Sequence, residues 1–174
     1  MLFRSFSVWS QFVLQTMRLH TLKDKLFVDR PLEDVFAFFE RPENLARITP
    51  PRMAMTTLTP SPIAMCAGAV FDYTVRVRGV SLHWRSAIAD YDPPHRFVDV
   101  QLKGPYAFWH HAHEFAAEDG GTRISDTVTY ALPFGPLGDI VHALFVRQDI
   151  QSIFSYRAAQ IASLLGEHKP SAAP

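Results

Sequence analysis

The chain has 174 residues, of which 48% are hydrophobic and 13% aromatic, so we expect one globular domain with a sizeable core. Its 17 basic residues are balanced by 17 acidic ones, which argues against the basic surface that general nucleic-acid binding requires. The single cysteine, Cys66, excludes an internal disulfide and thiolate metal clusters, and no run of about 18 apolar residues marks a membrane span. These features are typical of a cytoplasmic protein.

The first 17 residues carry large apolar side chains at helical spacing, namely Leu2, Phe6, Trp9, Val13 and Met17. Three interpretations stay open: an over-extended start with Met17 as the true initiator, an amphipathic helix that docks on the domain or on a membrane surface, and a mitochondrial transit peptide. We therefore separate an N-terminal extension at 1–17 from a domain at 18–166, with a flexible tail at 167–174.

A strand and two short helices are predicted at the start of the domain. The strand covers residues 20–29. The first helix is expected at about 31–40, with Pro31 in its first turn, and the second at about 42–48. Thr49-Pro50-Pro51 ends the second helix, because proline cannot donate the next helical hydrogen bond.

Six further strands are predicted, at about 53–59, 68–79, 81–92, 95–103, 107–118 and 122–132, and proline or glycine turns separate most of them. Apolar and polar residues alternate along the second of these strands, which is typical of an antiparallel sheet with one buried face. The strand at 95–103 alternates in the same way, with Val98, Val100 and Leu102 as its apolar set and Asp99 in its polar set.

A long helix is expected from about Leu137 to Leu165, capped by Gly166. A bent antiparallel sheet needs a partner for its concave face, and this helix can supply it. Seven strands leave more room than one helix fills, so a cavity is expected between them. The predicted class is α+β, with a seven-stranded bent antiparallel sheet wrapped around the C-terminal helix.

The stretch from Trp109 to Phe115 is the most informative part of the chain for function. Period-two alternation puts Trp109, His111, His113 and Phe115 on one face, which we predict to be the inner face because it carries two large aromatic rings. A two-residue turn at Gly120-Gly121 would then place four polar side chains on one pocket wall: His111, His113, Asp126 and Tyr130.

This order of elements resembles the helix-grip fold of the START/Bet v 1-like superfamily, also called SRPBCC, and within it the polyketide cyclase/dehydrase-like ligand-binding subgroup. The likeness covers about residues 18–166. It is carried by Pro31 to Phe36, Asn44-Leu45 with Thr49-Pro50, Trp84 to Ile88, Tyr91 to Pro94 with Phe97 to Asp99, Gly104 to Tyr106, Trp109, His111, His113, Phe115, Gly121-Thr122, Asp126, Val128, Tyr130, Pro133 to Gly135 and Tyr156-Arg157.

The resemblance implies a deep pocket for a hydrophobic small molecule such as a lipid, polyketide, isoprenoid or quinone. Some relatives are cyclases or hydrolases and others only bind or carry, so catalysis by a polyketide cyclase, dehydratase or hydrolase is an alternative to plain binding. A protein-interaction module is a further alternative. The chain has no glycine-rich dinucleotide motif, and we predict no cofactor and a monomer or weak dimer.

The predicted cavity wall comprises Phe71, Tyr73, Trp84, Trp109, His111, His113 and Tyr130. If the protein is an enzyme, His111, His113 and Asp126 are the candidate acid–base groups. Alternatively, the two histidines only orient a ligand or are satisfied by internal hydrogen bonds. We predict no metal site, because a His-x-His pair needs a third ligand and the sequence shows none. Arg157 is expected to be exposed or to reach the pocket mouth.

Overall fold

A computed structural model describes residues 18–166. The predicted extension at 1–17 and the tail at 167–174 lie outside the described residues. Strand β1 (His20–Val28) leads into helix α1 (Leu32–Phe39) and two 3₁₀ helices, Pro42–Ile48 and Pro51–Met53. The remaining strands are β2 (Thr56–Thr57), β3 (Val70–Val77), β4 (Val80–Asp92), β5 (Arg96–Lys103), β6 (Phe108–Glu118) and β7 (Gly121–Ala131).

The C-terminal helix is continuous but changes its winding. It consists of α2 (Pro136–Val141), a π-helical segment (His142–Val146) and α3 (Arg147–Leu165), about 30 residues together. The seven strands form one antiparallel sheet in the order β1-β7-β6-β5-β4-β3-β2. The predicted helix-grip fold is therefore confirmed. No helix among residues 18–166 is both long enough and apolar enough to span a membrane.

Two local predictions differ from the structure. The strand expected at 53–59 shrinks to Thr56–Thr57, because the prolines at 50 and 51 favour a 3₁₀ turn that ends with Ala54 at φ 41°. The two-residue turn lies at Asp119-Gly120, not Gly120-Gly121, and both turn residues have positive φ, as a type I′ turn requires. The change moves the pairing by two residues and so leaves every β6 side chain on its predicted face.

The face of β5 is the larger correction. Phe97 and Asp99 line the cavity, whereas of the predicted apolar set Val98 is 2% exposed on the other face and Leu102 is 58% exposed. The large ring of Phe97 lies on the inner face and stacks on His113 at 4.2 Å. Asp99 is two residues further along the strand, so its side chain lies on the same face. The valine alternation therefore belongs to the opposite face.

The core joins the first helix to the middle of the sheet through aromatic edges. The Phe115 ring of β6 meets the ring of Phe36 at 5.4 Å and that of Phe39 at 5.1 Å, both steeply inclined to it. A smaller cluster holds the C-terminal helix on the sheet through Val128, Ile150 and Phe154. A cavity remains between the sheet and this helix.

Candidate functional site

A cavity of about 540 Å³ lies between the sheet and the C-terminal helix. Strands β3 to β6 form one wall, α3 the opposite wall, and α1 with the first 3₁₀ helix closes one end. Six of the seven predicted wall residues line it: Phe71, Tyr73, Trp84, Trp109, His111 and His113. The cavity has the size and apolar character of small-molecule sites in proteins.

Tyr130, the seventh predicted wall residue, does not line the cavity. It is buried, and its hydroxyl lies 2.9 Å from Nε2 of His142 at the π-helical segment. Tyr106 and Trp109 stand beside its ring, at 5.7 and 6.1 Å between centroids. The alternation along β7 correctly puts Tyr130 on the inner face of the sheet. At that end of the strand the C-terminal helix packs over the sheet, so the ring does not reach the cavity.

The aromatic wall is a continuous layer. The rings of Tyr73 and Trp84 stack at 5.9 Å, and Trp84 meets Trp109 edge-on at 5.3 Å. Ser86 accepts a hydrogen bond from Nε1 of Trp84 at 3.1 Å and lies 3.3 Å from the Tyr73 hydroxyl. Burial raises the pKa of Tyr73, so the hydroxyl stays protonated. These polar atoms satisfy one another's hydrogen-bonding capacity and fix the orientation of the rings in the wall.

Four side chains form a carboxylate–histidine cluster on the sheet: Asp99, His111, His113 and Asp126. The strand register explains the arrangement, because β6 lies between β5 and β7. His111 is paired with Asp99 of β5, and His113 is paired with Asp126 of β7. The two imidazoles stand 3.8 Å apart, two residues along the same strand.

Each imidazole in the cluster faces both carboxylates. Nε2 of His111 donates to Oδ1 of Asp126 at 3.0 Å, and its Nδ1 lies 3.4 Å from Oδ2 of Asp99. Nε2 of His113 lies 3.2 Å from Oδ2 of Asp99. Nδ1 of His113 lies 2.7 Å from Oδ1 of Asp126, but at an angle outside hydrogen-bond geometry.

The histidines differ in protonation although they are neighbours. Burial lowers the pKa of His111 to about 4, and the charge of His113 acts in the same direction. Burial would also lower the pKa of His113, but the carboxylates of Asp126 and Asp99 outweigh it and raise that pKa. At neutral pH His111 is the neutral member of the pair.

The carboxylates of the cluster stay ionised. Burial alone would raise the pKa of Asp126, yet the charge of His113 and the hydrogen bond from His111 hold it well below the ordinary value. Burial opposes ionisation of Asp99 in the same way, and the hydrogen bond with His113 together with the surrounding positive charge lowers its pKa.

Arg157 of α3 reaches the same region from the opposite wall. Its side chain is 9% exposed and lines the cavity, and its guanidinium carbon lies 5.0 Å from the centre of the Phe154 ring. Its Nε is buried and has no hydrogen-bond partner. A buried donor without a partner is costly, so this group is available to a ligand.

The sequence analysis did not place Arg157 inside the cavity and did not identify Asp99 as a site residue. The sequence contains a pattern that indicates each of them. Arg157 falls three residues after Phe154 and four before Ile161, which are apolar residues of the buried helix stripe, so helical spacing places it near the core face. Asp99 shares the parity of Phe97, the bulkiest apolar residue of its strand, and that ring was a better guide to the inner face than the valines.

The pKa values predict how stability changes with pH when a chelator ensures that only protons bind the imidazoles. His111 has a pKa near 6.5 when unfolded and about 4 when folded. Between these values the unfolded chain binds the proton and the folded chain does not, so stability falls as pH falls, by roughly 3 kcal/mol. His113 acts oppositely: its raised pKa contributes stability below about pH 6.5 that is lost as pH rises through the folded value.

Denaturant titrations across this range should therefore show maximal stability near pH 6.5. His111→Phe should flatten the acid side, because it removes the buried group that the unfolded state protonates. His83→Phe is the matched control, since His83 is on the outer face and bonds Asp72 at 2.6 Å. An acid side that His111→Phe leaves unchanged would contradict the assignment.

The family described as polyketide cyclase/dehydrase and lipid transport matches residues 20–166. No curated protein matches the chain significantly.

Several solved structures are similar in fold. Ara h 8.0201 has a TM-score of 0.57 at 20% identity, covering 84% of this chain and 99% of that protein. Protein CV1439 from Chromobacterium violaceum has a TM-score of 0.67 at 14% identity, covering 86% and 99%. The di-domain ARO/CYC BexL from the BE-7585A biosynthetic pathway has a TM-score of 0.65 at 20% identity, covering 86% of this chain and 51% of BexL. At these identities the likeness shows the fold alone.

Proposed function

The chain belongs to the polyketide cyclase/dehydrase and lipid transport family, and from that premise we propose that it binds a hydrophobic small molecule with one acidic end. The observation that carries the proposal is the asymmetry of the cavity. Aromatic and aliphatic side chains cover most of its surface, while its buried or half-buried polar groups include Asp99, His111, His113 and Arg157, with Arg157 close enough to Asp99 to lower its pKa. Arg41, Arg52, Arg76 and Arg78 also line the cavity but are exposed. Such a wall suits an elongated or flat apolar body whose polar end is fixed by a few groups.

Charge determines which polar end fits. The negative charge of the two carboxylates is offset by Arg157 and by His113, whose pKa these carboxylates raise. The Nε of Arg157 still lacks an acceptor. A carboxylate, enolate or phenolate oxygen would supply it and would form a charge-assisted hydrogen bond. A lipid acid or an acidic polyketide has this chemistry.

Acid–base catalysis on such a ligand is the second candidate. Two adjacent histidines whose pKa values are shifted in opposite directions offer a base and an acid side by side. An enzyme should lose turnover but keep affinity when His113 is replaced by glutamine, whereas a binding protein should show only a change in affinity. The open interior disfavours the third alternative, a protein-interaction module with a filled core.

The binding proposal predicts different effects of polar and apolar wall residues. Arg157→Met should weaken binding of a fatty acid by about 1.5–3 kcal/mol, roughly 10- to 150-fold, because it removes a charged hydrogen-bond donor and keeps the volume. His113→Leu should cost the fatty acid a smaller amount, about 0.5–1.5 kcal/mol. Neither change should weaken the alkane of equal chain length. Trp109→Ala should weaken both ligands, because it removes wall area that both contact.

Fluorescence titration with a displaceable apolar probe measures the wild type and the three variants. Arg147→Met is the control, since Arg147 lies on the same helix and is not among the cavity-lining residues. Equal effects of Arg157→Met on acid and alkane would remove the guanidinium from the site. If the unaltered protein bound neither ligand, the cavity would not be the binding site.

A further inference from the structure

We propose that Asp99, His111 and His113 form a binding site for one divalent transition-metal ion, with Zn²⁺ as the best-fitting ion. One ligating atom from each of the three side chains lies within 4.8 Å of the other two. Among residues 18–166 this is the one group of three or more histidine, cysteine or acidic side chains with such spacing. Two imidazole nitrogens and a carboxylate oxygen are ligands that Zn²⁺ prefers.

The distances within this group match a shared ion. Oδ2 of Asp99 lies 3.2 Å from Nε2 of His113 and 3.4 Å from Nδ1 of His111. Tetrahedral Zn²⁺ with ligands at about 2.0–2.1 Å holds neighbouring ligand atoms about 3.3 Å apart. Two of the three distances between ligating atoms thus match the ion already, and the third, between the two imidazole nitrogens, is within 4.8 Å. Asp99 is the third ligand that a His-x-His pair lacks.

Asp126 supplies the outer support that metal-bound histidines need. A histidine ligand usually donates its second ring N–H to a carboxylate, which fixes its tautomer and orientation. Nε2 of His111 makes this bond to Oδ1 of Asp126 at 3.0 Å, and Nδ1 of His113 lies 2.7 Å from the same oxygen, outside hydrogen-bond geometry. The buried Asp126 carboxylate thus orients His111 and supplies a charge beside His113.

The contacts of His111 add a geometric reason. Nε2 of His111 lies 3.0 Å from Oδ1 of Asp126, and its Nδ1 lies 3.4 Å from Oδ2 of Asp99. Asp126 therefore accounts for one ring nitrogen, and a cation between the other nitrogen and the Asp99 carboxylate would bind both.

The cavity determines where the ion sits. Asp99, His111 and His113 line it, and Asp126 does not, so the ion lies on the cavity side of the imidazoles. Three protein ligands leave a fourth position open, as in zinc sites that bind a further molecule. That position faces the space between the sheet and α3. Metal binding needs no organic ligand, so this inference stands independently of the proposed function.

The test uses the full chain, stripped with a chelator and titrated with Zn²⁺ alone by calorimetry. We expect one ion per chain. Asp99→Asn and His113→Gln should each weaken binding more than Asp126→Asn, which should weaken it about 10- to 100-fold as the loss of an outer partner. His83→Gln is the matched control, because it removes a histidine bonded to a carboxylate on the outer face and should change nothing. Co²⁺ should give the intense visible absorption of a four-coordinate site.

A measurement on the unmutated protein covers the case in which a variant does not fold. Zn²⁺ should shift the imidazole nitrogen resonances of His111 and His113 and leave those of His83 unchanged. The stacked pair His20 and His142 tests the competing location, since these rings lie 3.5 Å apart near Asp139. Absence of binding at micromolar Zn²⁺, or shifts at His20 and His142 instead, would overturn the proposal.

Discussion

Asp126→Asn is expected to lower the free energy of unfolding by about 3–5 kcal/mol near pH 6, the cost of breaking a buried ion pair. The Asp126 side chain is 7% exposed and lies within 3.0 Å of both imidazoles. Asparagine keeps the volume and removes the charge, so protonated His113 loses its nearest counter-ion. The loss should become smaller at higher pH, where a neutral His113 no longer leaves a charge unpaired.

Asp72→Asn is the matched control on the outer face of the same sheet. Asp72 also contacts two basic side chains, His83 at 2.6 Å and Arg85 at 2.9 Å, but its side chain is 22% exposed. Water screens this pair, so its loss should cost much less. Denaturant titrations of both variants measure the difference. Equal losses would mean that burial does not determine the stabilising effect of Asp126.

The architecture was predictable because it follows from local patterns. Alternation along β3, β6 and β7 determines which residues face inward, and the order of strands and helices leaves few ways to cover the sheet. The misplaced turn at Asp119-Gly120 shows how tolerant this prediction is. Moving a hairpin turn by one residue shifts the pairing by two, and every side chain keeps its face.

The chemistry of the site was harder to predict, since it depends on contacts between distant parts of the chain. Asp99 enters the cluster because β5 pairs with β6 in a register that puts it opposite His111. An irregularity in β4 between Ile88 and Asp90 sets how that strand meets β5, and neither composition nor periodicity reveals it. Whether the Arg157 side chain faces the cavity depends on the rotation of α3 about its axis. The packing of α3 on the sheet determines that rotation.

The buried polar groups also distinguish a site from a core. A core of this size gains nothing in stability from four ionisable side chains, because apolar residues of similar volume would pack there without a desolvation cost. The four residues of the carboxylate–histidine cluster nevertheless lie together on the sheet, with Asp99, His111 and His113 lining the cavity, and Arg157 lines the opposite wall. Their retention in an apolar interior is best explained by a ligand or an ion that needs them.

The cavity itself is tested by comparing two phenylalanine truncations. Phe154→Ala and Phe115→Ala should each destabilise the protein by about 3–5 kcal/mol, because both rings are almost fully buried, at 5% and 3% exposure. Phe154 lines the cavity, so its removal joins new volume to the existing space. Phe115 does not line the cavity and packs against Phe36, Phe39 and Phe97, of which Phe39 and Phe97 do line it, so its removal leaves a void behind these two rings.

An apolar ligand should therefore restore stability selectively. In Phe154→Ala it can fill the enlarged cavity, and binding to the folded state alone raises the melting temperature with ligand concentration. In Phe115→Ala the same ligand should give no more than the wild-type shift, because the rings of Phe39 and Phe97 lie between the void and the cavity. Thermal melts of the three proteins with and without the alkane measure this. Equal ligand-induced shifts in both variants would show that the ligand does not occupy the space beside Phe154.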